Sequence, residues 1–488
     1  IENFQKKLFE KRKFVVDTHY CFTLDKVPEE LYKTILNNEE QLQSWEELYA
    51  MDKWEGDLEW GGQWSKEFLK EHSYMMVDTR LFDWDFKHKL LSSFKDLDDI
   101  IDGVNINGEN FQVLNLLSKK FKSEIKCIHI DPPYNTSSSG FLYKNNYRHS
   151  SWLTMMQQVH KLATSFLKND GALICHIDEY EKERLHLLFE SGPTINAGTQ
   201  IWNKGTPVTG ANGLATKHEY ILWRTLKNIS IRVRKENIHE IKDKVNELLN
   251  KYGDATDEAL SEYRSWLRKS SSLSKSEKTY TMFDNEGRVF RSDNMSATDK
   301  RQNEKFHKPL IHPITKKECP VPNNGWRYTP ESMETLMNEG LVLFGDDHTK
   351  MPRKKTLIEN TESSQMTSIY FSGARGKFSL DRLGIEFPFA HPPEMYSYLI
   401  GAISNSRRDI TLDFFAGSGT TSHAVLNLNK DDGANRKYIQ VEMGKHFNTA
   451  LKPGIKKLAF SSNWKDGIPQ DQDGQSHAFK YHFIESYE

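Results

Sequence analysis

The 488 residues carry 66 Lys and Arg against 68 Asp and Glu, a formal net charge of −2, so this is no polycation built to coat nucleic acid, and any DNA contact has to come from local patches. Hydrophobic residues make up 37% and charged residues 27%, which excludes a disordered polymer and leaves room for two or three domains with a sizeable core. No run of roughly eighteen apolar residues offers a membrane span.

Residues 1–75 mix charge with tryptophans (Trp45, Trp54, Trp60, Trp64) and helix-like spacing in PEELYKTILNNEEQLQSWEELYAM, and read as a helical appendage whose tryptophans pack a core. The opening segment IENFQKKLFEKRKF lacks the apolar core of a secretory signal, which makes the cytoplasm the expected location; starting on Ile, the chain reads as a fragment of a longer one. From 76 to 228 short apolar runs alternate with helical patterns: VNING (104–108), FQVLNLLSKKF (111–121), IKCIHI (125–130), SWLTMMQQVHKLATSFL (151–167), ALICHI (172–177), and then HEYILWR (218–224). Strand, helix, strand, helix, strand predicts a parallel α/β sheet. Residues 229–375 break the pattern: they are polar, punctuated by Pro and Gly, and offer few elements besides RYTPESMETLMNEG, as an inserted module would. Residues 376–460 resume it with MYSYLIGAIS as a helix, DITLDFF (409–415) as a strand, a Gly-rich turn, TTSHAVLNLN as a helix and KYIQVEM (437–443) as a strand, before a tail at 461–488. The cysteines (Cys21, Cys127, Cys175, Cys319) have neither zinc-site spacing nor disulfide density; Cys127 and Cys175, inside apolar runs, are expected as buried small hydrophobes.

Two motifs carry chemistry. Asp131-Pro132-Pro133-Tyr134 follows the apolar run IKCIHI directly, and ligands of open α/β sheets sit beyond the carboxyl ends of strands. The Asp131 carboxylate and the Pro132 carbonyl can each accept one N–H of an amino group on a planar base, the paired prolines stiffen the loop, and Tyr134 offers a face for stacking. The bare tetrapeptide is also compatible with an Asp-Pro turn at a strand end. Phe415-Ala416-Gly417-Ser418-Gly419-Thr420-Thr421 lies between a strand and a helix; its glycines suit either a tight turn or close backbone approach to a cofactor, with Thr420 and Thr421 at the helix start. It lacks the lysine of a phosphate-binding loop. Glu442, one helix and one strand further on, is placed either to bond ribose hydroxyls or as a solvated strand end.

The two motifs together resemble the amino-methyltransferases of DNA, whose motifs are DPPY and FxGxG. Their order here, with DPPY first, resembles the permuted β-class, in which a target-recognition region lies between the halves. HIDPPYNTSSSGFLYKNNYRHSSWLTMM, NGLATKHEYIL, NNGWRYTPESMETL and LDFFAGSGTTSHAVLNLN look like the Mod subunits of type III restriction–modification systems, over roughly residues 76–488. That resemblance implies a Rossmann-like, circularly permuted α/β methyltransferase sheet using S-adenosylmethionine, with an inserted target-recognition region and the helical appendage. It places Asp131, Pro132, Pro133 and Tyr134 at the target amine, Phe415, Ala416, Gly417, Ser418, Gly419 and Thr420 around the cofactor, and Glu442 at its ribose. Glu109 and Asn110, after VNING, fall where the family meets the cofactor's adenine; a plain turn serves as well. In FAHPPEMYSYL, His391 and Pro392 match the family form but Pro393 stands where lysine is usual, so only a helix start is expected there.

The chemistry implied is methyl transfer to N6 of adenine in duplex DNA by base flipping, with no metal and no covalent intermediate; the absence of a Pro-Cys pair argues against ring-carbon cytosine methylation. N4-cytosine methylation, RNA or protein methylation, and a noncatalytic DNA-targeting subunit remain as alternatives. Expected partners are double-stranded DNA, a restriction subunit and a second copy in a homodimer, with no membrane. Residues 262–317 hold thirteen Lys or Arg against seven Asp or Glu, and Arg288, Arg291, Lys300 and Arg301 within them are either phosphate contacts or a solvated charged surface. The polar, aromatic loop between Asn135 and His149 (Phe141, Tyr143, Tyr147) either closes over a flipped base or is an ordinary surface loop, and Trp152 reads as core.

Overall fold

The computed structural model describes residues 13–55, 58, 60–136, 148–206, 214–234, 238–271, 273, 275–358, 363–404 and 408–485. They form two compact units, one from residues 1–231 with 365–488, the other from 232–364.

The first unit is built on an eleven-stranded sheet. In chain order its strands are β1 (Val15–Thr23), β2 (Met76–Asp78), β3 (Gly103–Asn107), β4 (Ile125–Ile130), β5 (Leu167–Ile177), β6 (Ile195–Asn203), β7 (His218–Thr225), β8 (Ile369–Phe371), β9 (Ile410–Asp413), β10 (Lys437–Glu442) and β11 (Ala478–Ile484). Their order across the sheet is β8-β6-β7-β5-β4-β9-β10-β3-β11-β1-β2. The centre, β5-β4-β9-β10-β3-β11, is parallel throughout. Parallel strands covered on both faces read as continuous apolar runs, and β4 does so: Ile125, Cys127, Ile128, His129 and Ile130 are all buried. Around them lie Trp152, Met156 and Val159 from the helix His149–Thr164, and Leu173, Leu412 and Ile439 from neighbouring strands.

The chain leaves β4 through the helix His149–Thr164 to β5 on one side, and leaves β9 through the helix Thr420–Asp432 to β10 on the other. The sheet's topological switch point therefore lies between β4 and β9, where open α/β sheets bind ligands. Leu412 sits opposite Ile128 in the register, so Asp131 and Phe415, each three residues further on, emerge at the same level.

Three expectations need correction. The first 75 residues do contain helices (Glu39–Tyr49, Lys66–Glu71), with Trp45 and Trp54 buried as expected. They are not only a helical appendage, however, because β1 pairs with β11 and β2 inside the main sheet. Residues 461–488 are likewise no mere tail: β11 sits between β3 and β1. Strand partners hundreds of residues apart leave no local pattern, which is why both were missed. The third concerns residues 229–375. The second unit, 232–364, holds two amphipathic helices, Ile238–Tyr252 and Asp257–Lys269. Ile238, Ile241, Val245 and Leu248 recur at helical spacing and pack on Tyr263, Leu267, Phe283 and Val289. A four-stranded antiparallel sheet and a second cluster around Met295, Trp326 and Met333 complete it. High polar content masked a sound apolar period. Residues 365–375, assigned with the insertion, include β8, the edge strand of the main sheet.

A candidate active site at the carboxyl ends of the central strands

Asp131 leaves the end of β4 as a half-buried carboxylate. The following turn is fixed from beneath: the Trp152 indole N–H donates to the Pro133 carbonyl at 2.8 Å, and Asn135, at φ +60°, donates its amide to the buried Glu181 carboxylate at 2.7 Å. Trp152 is thus core, as expected, and props the motif. His149, at the start of the next helix, meets the same Glu181 oxygen at 2.7 Å. The loop proposed to close over the base, residues 137–147 with Phe141, Tyr143 and Tyr147, lies outside the described residues.

Opposite Asp131 stands a set of charged groups that sequence reasoning did not assemble. His391 lies between two carboxylates, Nδ1 at 3.4 Å from Asp131 Oδ2 and Nε2 at 3.3 Å from Glu219 Oε2. Glu219, on β7, also accepts the Tyr134 hydroxyl at 3.2 Å and pairs with Lys204. The Tyr396 hydroxyl is 3.4 Å from His391 Nδ1, and the Trp202 ring meets the imidazole edge-on at 5.1 Å. Burial pushes the Asp131 carboxyl up, and Glu219 adds to the push; His391, Tyr134 and Lys204 offset only part of it. Burial would raise Glu219 too, but His391 and Lys204 hold it down at about 2. Against its own burial, His391 is raised by Asp131 and Glu219. Behind it His129 and His176, fully buried, share a contact of 2.8 Å between their Nε2 atoms. Burial pushes both well below the usual histidine range, so this pair is neutral.

On the other side of the switch point, the turn after β9 is shaped by Gly417 and Gly419, at φ +54° and +89°. An added Cβ would press on Phe387 and Leu451 at 3.3 Å. Two buried carboxylates set this turn. Asp413 accepts the Phe415 N–H at 3.0 Å and the Thr421 hydroxyl at 2.7 Å. Glu442 accepts the Gly417 N–H at 2.9 Å through one oxygen and the Gly444 N–H at 2.6 Å through the other. Both oxygens of the residue expected at a ribose are therefore engaged with backbone. Burial raises Asp413 to about 7, and the charges of Asp131 and Glu442 contribute. At the end of β3, Glu109 caps the helix Asn110–Leu117 by accepting the Phe111 and Gln112 N–H groups, and the Asn110 amide donates to the Phe414 carbonyl at 3.3 Å. Asn107 and Gly108 both donate to the Glu442 carbonyl, so the ends of β3, β9 and β10 are tied into one rim.

The structure thus gathers Asp131-Pro132-Pro133-Tyr134 and, on the adjacent strands, Phe415-Ala416-Gly417-Ser418-Gly419-Thr420 with Glu442, Glu109 and Asn110. Arg288, Arg291, Lys300 and Arg301 belong to the second unit. There Arg288 pairs with Asp284 and Glu286, and Arg291 with Asp293; Lys300 and Arg301 are exposed, with Arg301 over the Phe306 ring. The residues missed were Glu219, Lys204, His391, Tyr396 and Asp413. Two had a signal: His391 stood in the matched His-Pro pair, and Glu219 in the segment KHEYIL.

A family model described as DNA methylase, of the N6/N4 class, matches residues 125–452, from the first residue of β4 to beyond the Gly-rich turn. The chain belongs to the N6/N4 DNA methylase family. Within that family it is 28% identical over 397 residues to the Mod subunit of the type III restriction-modification enzyme EcoP15I from Escherichia coli, covering 72% of this chain and 61% of that one. It is 25% identical over 388 residues to the StyLTI Mod subunit of Salmonella typhimurium, covering 73% and 54%. The chain therefore spans somewhat over half the length of these Mod relatives. The type II methyltransferase M.KpnI of Klebsiella pneumoniae is 23% identical over 412 residues, covering 78% of this chain and 90% of its own. Among solved structures, PvuII DNA methyltransferase (cytosine-N4-specific) aligns at 11% identity and TM-score 0.36, over 73% of this chain and 86% of its own. The M1.HpyAVI–SAM complex aligns at 14% and 0.31, over 72% and 98%. At those scores the likeness is loose, and the permuted α/β methyltransferase fold stands on the strand order itself.

Proposed function

We propose that this chain transfers a methyl group from S-adenosylmethionine to N6 of an adenine in duplex DNA. One observation carries the reading: the amine-binding motif and the glycine turn leave adjacent strands at the same level, on either side of the switch point. The crevice suits a cationic nucleoside cofactor. Its glycine turn leaves room for close approach, and Asp131 and Glu442 place negative charge there, adding to the burial that raises Asp413. When bound, the cofactor supplies an electrophilic methyl on a sulfonium. The chain's own part is alignment: Asp131 and the Pro132 carbonyl accept the two amine N–H groups and aim the nitrogen lone pair, while Tyr134 stacks on the base drawn out of the duplex. Asp131 also steadies the positive charge that gathers on the nitrogen.

The aspartate-headed motif favours adenine over N4 of cytosine. Likeness to the Mod subunits supports a restriction partner, and a homodimer is part of the same proposal. The unit 232–364 is assigned to target recognition, with Lys300 and Arg301 as phosphate contacts. No described helix is long and apolar enough to cross a membrane; a cytoplasmic location is part of the same proposal.

The test is single-turnover methylation of duplex DNA with Asp131→Ala. Loss of one positioned acceptor lowers such rates on the order of a hundredfold or more, while DNA binding persists. Unchanged methylation would refute the assignment, and single-molecule sequencing of DNA from cells expressing the chain separates N6-adenine from N4-cytosine.

A further inference from the structure

His391 takes no part in the reaction as described, yet it is nearly buried between two carboxylates of the site. Its two ring nitrogens approach Asp131 at 3.4 Å and Glu219 at 3.3 Å, and its side chain is only 11% exposed. The groups facing it come from five places in the fold: Asp131 after β4, His176 on β5, Trp202 and Lys204 at the end of β6, Glu219 on β7 and Tyr396 in the helix Pro393–Gly401. Two of these are anionic and one is cationic, and Lys204 is already paired with Glu219. His176 is held neutral by burial, and the same holds for the Tyr396 hydroxyl. A neutral imidazole carries no charge to offset either carboxylate; an imidazolium attracts both, donating to Glu219 through Nε2 and facing Asp131 across 3.4 Å at Nδ1, where the Tyr396 hydroxyl also stands.

We propose that His391 is a positioning residue for methyl transfer, an imidazolium held between Asp131 and Glu219 that keeps Asp131 ionised and aimed at the target amine. The need for such a cation follows from the site. An amine acceptor must stay a carboxylate, because a protonated Asp131 loses both the charge and one acceptor position, and the surroundings of Asp131 push it toward the neutral acid. Lys204 is spent on Glu219, so among the described residues the cation that faces the Asp131 carboxylate is His391. Glu219 acts as the far anchor: it fixes the ring through Nε2 and leaves Nδ1 facing Asp131. Tyr134, bonded to Glu219, is tied to the same frame, which couples the stacking face to the amine acceptor.

The inference rests on Asp131 being the amine acceptor of the proposed reaction, and the experiment separates the two. Single-turnover methylation is measured from about pH 5.5 to 9 for wild type, His391→Gln and Asp131→Ala. The wild-type acid limb reports ionisation of Asp131. In His391→Gln that limb moves up by about one pH unit or more, so the variant falls roughly tenfold or more behind wild type on the acid side of the limb and recovers toward it at the alkaline end. A uniform loss at every pH, with an unmoved limb while Asp131→Ala is inactive, overturns the role of His391 and leaves the reaction assignment standing. Full activity of Asp131→Ala overturns both. Because a glutamine at 391 also changes contacts to Trp202 and Tyr396, a second readout uses unaltered His391. Its ring carbon signal in histidine-labelled protein, assigned by its loss in His391→Gln, titrates above the free-histidine value of about 6.5 and drops in Asp131→Asn. Titration at or below that value, or indifference to Asp131→Asn, overturns the proposal.

Discussion

Glu442 offers the clearest separation of two roles for one residue. The family resemblance places it at a ribose, whereas in the structure its oxygens accept the Gly417 N–H at 2.9 Å and the Gly444 N–H at 2.6 Å, in a side chain that is nearly inaccessible. Glu442→Gln keeps the shape but turns one acceptor into an NH2 donor facing a backbone donor. One buried N–H is then unpaired, at a cost of about 1–3 kcal/mol. If that cost falls on the glycine turn proposed to receive the cofactor, affinity for S-adenosylmethionine drops roughly 5- to 150-fold. Calorimetric titration measures it, and repeating it with an analogue lacking the ribose hydroxyls assigns the cause. A residue acting through the turn weakens both ligands by the same factor. A residue bonded to the ribose weakens the analogue far less, because that contact is already missing. Affinity unchanged within about twofold for both ligands would refute the idea that the Glu442 carboxylate sets the turn.

Asp413 folds with its proton up to a pH of about 7, so the stability it contributes is present below the usual carboxyl range and is lost as pH rises through about 7. Asp413→Asn should therefore melt below wild type at pH 5 and close the gap by pH 8; parallel melting temperatures across that range would contradict the assigned state. Tyr134→Phe keeps the ring face that the sequence offers for stacking but removes a donor to Glu219. Because the Glu219 acceptor is ionised, a loss of roughly 12- to 150-fold in single-turnover rate is expected for one such bond, against a larger loss for Tyr134→Ala; equal losses would show that the hydroxyl rather than the face dominates. In the second unit, Lys300→Gln with Arg301→Gln should lower the slope of log affinity against log salt by about two if each meets a phosphate. Arg288 and Arg291, held in local ion pairs, should change it less, and an unaltered slope for all four returns the patch to a solvated surface.

What the sequence determined is local. The run IKCIHI coincides with β4 to the residue, because a strand buried on both faces is mostly apolar along its length, and that requirement is written in consecutive letters. The glycines at 417 and 419 likewise stand where φ is positive, a demand on single residues that composition displays. DPPY and FAGSG were assigned to strand ends on the same ground. The tertiary structure decided whatever depends on which distant segments meet. β1 and β11 pair across more than four hundred and fifty residues, so neither segment announces its partner. Glu219, Lys204 and His391 are ordinary charged residues in three separate segments, and they become one cluster only when β6, β7 and the start of the helix Pro393–Gly401 converge on the end of β4. The position of Glu442 was legible, but its bonds were not: an acidic residue at a strand end can face a ligand or a backbone, and only the path of the Gly417 turn settles which atoms its oxygens reach.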